Sequence, residues 1–153
     1  MKTVSCGILV IDAQAELLLG HATGTPYWDI PKGGTEPGES EIETALRETE
    51  EETGLRLEPA QLLELGRFAY RRDKDLHLFA TLSPRVDPAG CHCSTRFVTS
   101  RGQLRPELDR FEWTAFDRVI DRCARSMATL LTRTISLPDV LQRLNLDRRA
   151  LPD

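Results

Sequence analysis

Glu48, Glu51 and Glu52 stand at i, i+3 and i+4, the spacing that makes side chains neighbours on one flank of an α-helix. Three carboxylates that converge where no lysine or arginine of the same helix sits among them offer oxygen ligands to a hard divalent cation such as Mg2+ or Mn2+. Charge runs are commonly solvated faces, so the eight glutamates of residues 33–55 need separate causes. Glu39, Glu41 and Glu43 suit the N-terminal end of a helix dipole, and Glu50 points away from the cluster. Arg47 lies one turn after Glu43 and one turn before Glu51, so it braces two acids, yet one cation cannot neutralise the group.

The helix that must carry these acids has both of its ends written in sequence. Ser40 with Glu43 three residues on is a capping box, and Gly54 suits the left-handed position just past a helix C-terminus, with Leu55 folding back. At ~100° per residue, Ile42, Ala45, Leu46, Thr49 and Thr53 fall on one stripe, the face packed on a sheet. Thr3–Ile11 and Glu16–Gly20 read as a strand pair joined by a turn. The stretch HATGTPYWDIPKGG is mostly loop, with a short strand at Trp28–Ile30. Leu62–Tyr70 and Leu76–Leu82 form a second hairpin around the polar turn Arg71–Asp75. The polar segment 83–108 is too long for a structureless loop and predicts a hidden strand at Thr95–Thr99. A last short strand covers Phe111–Trp113. Helices follow at Phe116–Arg133, with a break, and from Pro138 to Leu146, and residues 147–153 are expected to fray.

The 153 residues are 40% hydrophobic and 29% charged, enough for one domain with its own core. The net charge of −4 argues against long nucleic acid or an anionic membrane as partner. No apolar run approaches a membrane span, and a cytoplasmic location is expected. Cys6, Cys91, Cys93 and Cys123 read as reduced thiols. Cys91-His92-Cys93 lacks the second ligand pair of a zinc site and reads as a loop with incidental thiols.

Gly33, Glu39 and the run Arg47-Glu48-Thr49-Glu50-Glu51-Glu52-Thr53-Gly54-Leu55 resemble the Nudix box, G-x5-E-x7-R-E-U-x-E-E-x-G-U, where U is a bulky aliphatic residue. Thr49 departs from it at the first U position. The preceding Trp28-Asp29-Ile30-Pro31-Lys32 resembles the run that often leads into the box. The resemblance implies a Nudix-type α/β/α sandwich with a mixed sheet, class α/β, over residues 1–146. It implies hydrolysis of a nucleoside diphosphate linked to another moiety, with Mg2+ or Mn2+ as cofactor. By position, Glu51 and Glu52 are metal ligands, Glu48 is a ligand or the base, Arg47 orients the glutamates, and the Lys32 carbonyl is a backbone ligand. Glu39 ties the loop to the helix, beside the structural Gly33 and Gly54. A further acid six residues before a tryptophan of the last strand matches Glu107, with Asp109 and Glu112 as near competitors.

The partner so implied is a small nucleotide or polyphosphate. The run W-D-I-P-K-G-G looks like that of Nudix enzymes cleaving dinucleoside polyphosphates. Mutagenic-nucleotide sanitation and removal of an RNA 5′ pyrophosphate are alternatives. Lys32 and the Arg71-Arg72-Lys74 turn are candidates for distal phosphates, although a basic turn is more often solvated. Tyr27, Tyr70 and Phe79 are candidates for base stacking, although aromatics near strands are more often core; His77 and Phe97 have no better claim. A domain that binds nucleotides without cleaving them is the alternative of another class, and the intact Glu48, Glu51 and Glu52 argue against it.

Overall fold

A computed structural model describes residues 2–150, with side chains through Asp147. Strand β1 (Thr3–Ile11) is buried from Ser5 to Ile11, as a continuous aliphatic run covered on both faces requires. Alternate side chains point to opposite faces. Cys6, Ile8 and Val10 pack in one core with Ala45, while Leu9 and Ile11 pack in a second core with Val119, Met127 and Leu131. These two cores are the two sides of an α/β/α sandwich, the α/β class that the sequence implied.

β1 pairs in parallel with β6 (Lys74–Leu82) from Thr3↔Lys74 to Ile11↔Leu82. β5 (Leu63–Arg71) continues the sheet antiparallel to β6. β2 (Glu16–Ala22) leaves β1 by a tight turn and meets it only at Ile11↔Leu17. The two strands then part: the N-terminal half of β1 takes β4 (Lys32–Gly34), and β2 takes β3 (Trp28–Asp29) and β9 (Leu108–Ala115). All seven strands belong to one mixed sheet. A separate hairpin is formed by β7 (Arg96–Val98) and β8 (Leu104–Pro106).

The expected elements stand with adjustments: the last strand, expected at Phe111–Trp113, extends to Leu108–Ala115, and the helix expected from Phe116 begins at Val119. Lys32–Gly34, expected as loop, is a strand because its backbone completes the edge of β1 that β2 vacates. The turn of the second hairpin contracts to Arg72–Asp73, and the hidden strand at Thr95–Thr99 is β7, with β8 as its partner. The break in the C-terminal helical region is real: α2 (Val119–Arg122) and α3 (Arg125–Thr129) precede a π-type turn at Leu130–Thr134 and α4 (Leu137–Ala150). The fraying expected for 147–153 falls partly on α4, which runs to Ala150, and for 151–153 lies outside the described residues.

Helix α1 (Glu41–Thr53) has the caps read from sequence. Ser40 N–H donates to Glu43 Oε1 (2.9 Å) and Glu43 N–H donates to Ser40 Oγ (3.2 Å). Gly54 closes the helix in the left-handed region at φ 83°. The buried stripe is Thr44, Ala45, Thr49, Glu52 and Thr53, whereas Ile42 and Leu46 are only half-buried. The expected stripe is therefore rotated, and Glu52, which the helical wheel groups with the flank, lies on the buried side.

Thr49 occupies the aliphatic position of the box, is wholly buried, and its Oγ1 has no hydrogen-bond partner. A buried hydroxyl without a partner costs about 1 kcal/mol or more. Thr49→Val keeps the shape and removes the polar atom, so it is expected to raise the melting temperature by about 2–4 °C, the rise that ~1 kcal/mol gives in a chain of this length. A lower melting temperature for the variant, by calorimetry, would refute this account.

Candidate active site

Arg47 organises the charged face of α1. Its Nε donates to Glu39 Oε2 (2.8 Å) and its Nη2 to Glu39 Oε1 (3.0 Å), a two-pronged grip that matches guanidinium to carboxylate geometry. Nη2 also donates to the Gly34 carbonyl (3.0 Å), and Nη1 donates to Glu48 Oε1 (3.0 Å) and Glu51 Oε2 (3.1 Å). Glu43, expected as an Arg47 partner, is engaged in the capping box instead. Glu39 receives a further bond from Thr44 Oγ1 (2.6 Å), and its grip by Arg47 holds its carboxyl down at about 2. Glu39, in the loop after β4, is thus bonded to two side chains of the helix.

Glu52 is held from below. The Lys32 backbone N–H donates to its Oε1 at 2.9 Å, and only 6% of the residue is exposed. Burial pushes this carboxyl up to about 9, and the nearby Glu107 and Glu48 carboxylates push in the same direction. Burial also raises Glu48. Gly33 has a steric reason to be glycine: a Cβ there would collide with the Glu48 carboxylate. Backbone and carboxylate approach each other at this point as only glycine permits.

Glu107 lies between β8 and β9 and is brought to the box by tertiary structure. Burial is the main cause that raises Glu52 and Glu48, and the Glu107 carboxylate adds to it in the same direction. Thr95 Oγ1 donates to Glu107 Oε2 (3.3 Å), and the Glu107 N–H donates to the Thr95 carbonyl (3.1 Å). The competitors are spoken for: Asp109 Oδ1 is 2.7 Å from His21 Nδ1, and Glu112 accepts from Arg122 Nη1 at 2.7 Å.

Segment 91–95 ties the two parts together. His92 N–H donates to the Thr53 carbonyl (3.0 Å), and Ser94 donates to the Glu51 carbonyl from N–H (2.6 Å) and Oγ (3.0 Å). These bonds satisfy carbonyls that a helix C-terminus leaves open. The sequence reading missed Ser94 and Thr95; the signal was their place at the start of the hidden strand. Cys91 and Cys93 are free thiols flanking this strap, and the described residues include no group of three or more Cys, His, Asp or Glu side chains poised as a metal cage.

Lys32 Nζ is tied to Asp29 Oδ2 (2.6 Å). Tyr27, 47% exposed, sits in the β2–β3 loop, and Arg71, at the end of β5, stacks its guanidinium 5.0 Å from the Tyr70 ring centroid. Neither Tyr27 nor Arg71 makes a hydrogen bond to a box acid among the described residues. His77, by contrast, is clamped between Glu41 (2.8 Å) and Glu64 (2.6 Å) and stacked on Phe79.

No three of the described side chains already converge as a metal cage, but the chemistry of the donor set suits a divalent cation. Arg47 is bonded to Glu48 and Glu51, and the buried Glu52 adds a third box carboxylate that no cationic side chain bonds among the described residues. The bonds from Arg47 and from Lys32 N–H each engage a single oxygen of Glu48, Glu51 and Glu52. Oxygen-only donors with excess negative charge are what Mg2+ and Mn2+ take.

The NUDIX domain profile matches residues 1–133, and the chain belongs to the Nudix family. It is a Nudix hydrolase acting on phosphoric anhydride bonds, in a family whose hydrolases generally need divalent cations. A 17.7 kDa protein of Enterobacteria phage T4, from the e-segB intergenic region, is 37% identical over 122 residues, 72% of this chain and 81% of that one. The asymmetrical bis(5′-nucleosyl)-tetraphosphatase of Rattus norvegicus is 44% identical over 70 residues, 46% of this chain and 44% of that one. The chain thus matches less than half the length of that enzyme. An RNA pyrophosphohydrolase of Bradyrhizobium sp. is 28% identical over 153 residues, 81% of this chain and 90% of that one. The fold is that of a C. elegans Ap4A hydrolase crystal structure, with TM-score 0.57 and 24% identity over 85% of this chain and 94% of that one. No helix among the described residues is long and apolar enough to cross a membrane.

Glu52 links this site to stability. Its folded-state carboxyl binds a proton more tightly than the ordinary value of 4.5, so the metal-free protein loses stability as pH rises from about 4.5 toward about 9. Glu52→Gln removes the charge and keeps an acceptor for Lys32 N–H. In EDTA it is expected to melt several degrees above the parent at pH 8, with the difference vanishing near pH 4.5. Equal melting curves across that range would show that Glu52 is not a buried charge.

Proposed function

We propose that the protein is a divalent-cation-dependent pyrophosphohydrolase that cleaves a dinucleoside polyphosphate or nucleoside polyphosphate. The observation that carries this reading is the set of box acids held in place on α1, with Arg47 bonded to Glu48 and Glu51 and Lys32 N–H bonded to the buried Glu52. The likeness to the rat tetraphosphatase, over 70 residues, favours the dinucleoside substrate. Removal of a 5′ pyrophosphate from RNA is the second reading, supported by the likeness to the Bradyrhizobium protein over 81% of this chain; the net charge of −4 weighs against long RNA. Residues 1–146 are taken as a single Nudix domain. A cytoplasmic location belongs to the same reading and is supported by four free thiols.

In this reading Glu48, Glu51, Glu52 and the Lys32 carbonyl hold Mg2+ or Mn2+, which supplies screening of the phosphate charge and Lewis acidity. Arg47 sets the directions of Glu48 and Glu51, and Lys32 N–H sets that of Glu52. Thr95 holds Oε2 of Glu107, and Glu107 is one candidate proton acceptor from the attacking water; Glu48 is the other. Lys32 and Arg71 take distal phosphates, and Tyr27 stacks on a base.

The test is a panel of dinucleoside polyphosphates, nucleoside triphosphates and 5′-triphosphorylated RNA, with products identified by mass. Turnover is expected with Mg2+ or Mn2+ and none in EDTA, and Glu52→Gln should lower kcat by about a hundredfold or more. No turnover of any panel member with metal present would sink the proposal.

A further inference from the structure

A cavity adjoins the box on the outer flank of α1. Arg47, Glu50, Glu51 and Gly54 stand at i, i+3, i+4 and i+7, one continuous stripe of a helix. With Arg56 and His92 they line a space of about 580 Å3, within the range of roughly 300–1,000 Å3 usual for small-molecule sites. Glu51 belongs both to the box acids and to this wall, so whatever fills the cavity lies next to a proposed metal ligand.

Two planar side chains border this cavity. The bonds from His92 N–H to the Thr53 carbonyl (3.0 Å) and from Ser94 N–H to the Glu51 carbonyl (2.6 Å) fix the strap against the end of α1. They seat the His92 ring on Gly54, where a Cβ would come within 2.9 Å of Cε1 and 3.1 Å of Nδ1. Gly54 is thus required twice, by its φ of 83° and by the closeness of the imidazole. His92 is nevertheless exposed, and its ring nitrogens make no hydrogen bond among the described residues. Arg56 donates from Nε to Glu50 Oε2 (3.0 Å), its side chain is 86% exposed, and its terminal nitrogens make no hydrogen bond among the described residues.

Charge decides what chemistry suits the cavity. Its lining sets two guanidinium groups against two carboxylates, and Arg47 is committed to Glu39, Glu48, Glu51 and the Gly34 carbonyl. A helix C-terminus also carries partial negative charge. A phosphate would find there only Arg56, itself paired with Glu50. A neutral planar ring meets no such field, and imidazole and guanidinium planes are surfaces on which nucleobases stack. We propose that this cavity is a nucleobase subsite, in which the base stacks on His92 and Arg56 while its phosphates reach the box acids past Glu51. Tyr27 is not part of the lining, so in a dinucleoside polyphosphate it serves the other base. This inference rests on the reading of the box acids as the hydrolytic site.

The test is calorimetric titration of the Glu52→Gln protein, with Mg2+, by adenosine triphosphate and by inorganic tripolyphosphate, which share a phosphate chain and differ in the nucleoside. The nucleotide should bind the parent more tightly. Adding Arg56→Ala and His92→Ala should raise its Kd about tenfold or more, the loss of ~1.4 kcal/mol, and leave tripolyphosphate within twofold. His92→Phe alone, which keeps a stacking plane and removes both ring nitrogens, should hold the nucleotide within about threefold. A nucleotide Kd within twofold of the parent after loss of both side chains would overturn the subsite. So would an equal loss for tripolyphosphate, which marks a phosphate site, a tenfold loss in His92→Phe, or a parent that binds neither probe or both alike. The turnover panel decides the hydrolase reading separately, since Arg56 and His92 variants of the wild-type chain retain Glu48, Glu51, Glu52 and Lys32.

Discussion

A single guanidinium allows a cluster of like charges to be held on one helix face. Arg47 donates to Glu39 through two nitrogens, to Glu48, to Glu51 and to the Gly34 carbonyl. Like charges at helical neighbour spacing repel by a few tenths of a kcal/mol each, and by more when they are half-buried. One planar cation with its donors in a fixed fork distributes attraction over three acids and a loop at once. Lysine, a point charge, could not reach Glu39 and Gly34 together while bonding Glu48 and Glu51. The charge that Arg47 leaves uncompensated is the reason the site has use for a further cation.

That arrangement depends on the backbone beneath it. β4 pairs with β1 where β2 turns away, and this places Lys32 N–H under Glu52 and Gly33 against Glu48. Both contacts are backbone-to-carboxylate, so they persist whatever the Lys32 side chain does. The helix is pressed on the same sheet by Ala45, Thr49 and Thr53, and β1, covered on both sides, transmits no slack between the layers. A buried Glu52 with its proton affinity raised is the electrostatic consequence of that packing.

Much of this was legible in the chain. The capping box at Ser40 and Glu43, the left-handed Gly54, and the separation of Glu50 from Glu48 and Glu51 follow from rules that act within one or two helical turns. The aliphatic run of β1 announced a strand, and the structure showed it buried on both faces. Less legible were β4, whose sequence Lys-Gly-Gly has no strand propensity and is a strand only because an edge of β1 is vacant, and the partners of Arg47, where Glu39 outcompeted Glu43. The wheel assigned Glu52 to the flank because it treats a helix as a free cylinder; the sheet and Lys32 N–H decided how that cylinder is rotated.

The sequence by itself determined the helix, its ends, the box acids and the family to which they belong, because helical geometry couples residues at most four apart and caps are local chemistry. Only the tertiary structure decided that Asp109 pairs with His21 and Glu112 with Arg122 while Glu107 is bonded to Thr95, and that Ser94 straps this segment to the end of α1. Glu52 and Glu107 are far apart in the chain. No periodicity relates them; their meeting is set by strand order, by the pairing of β9 with β2, and by carbonyls at the end of α1 that needed donors.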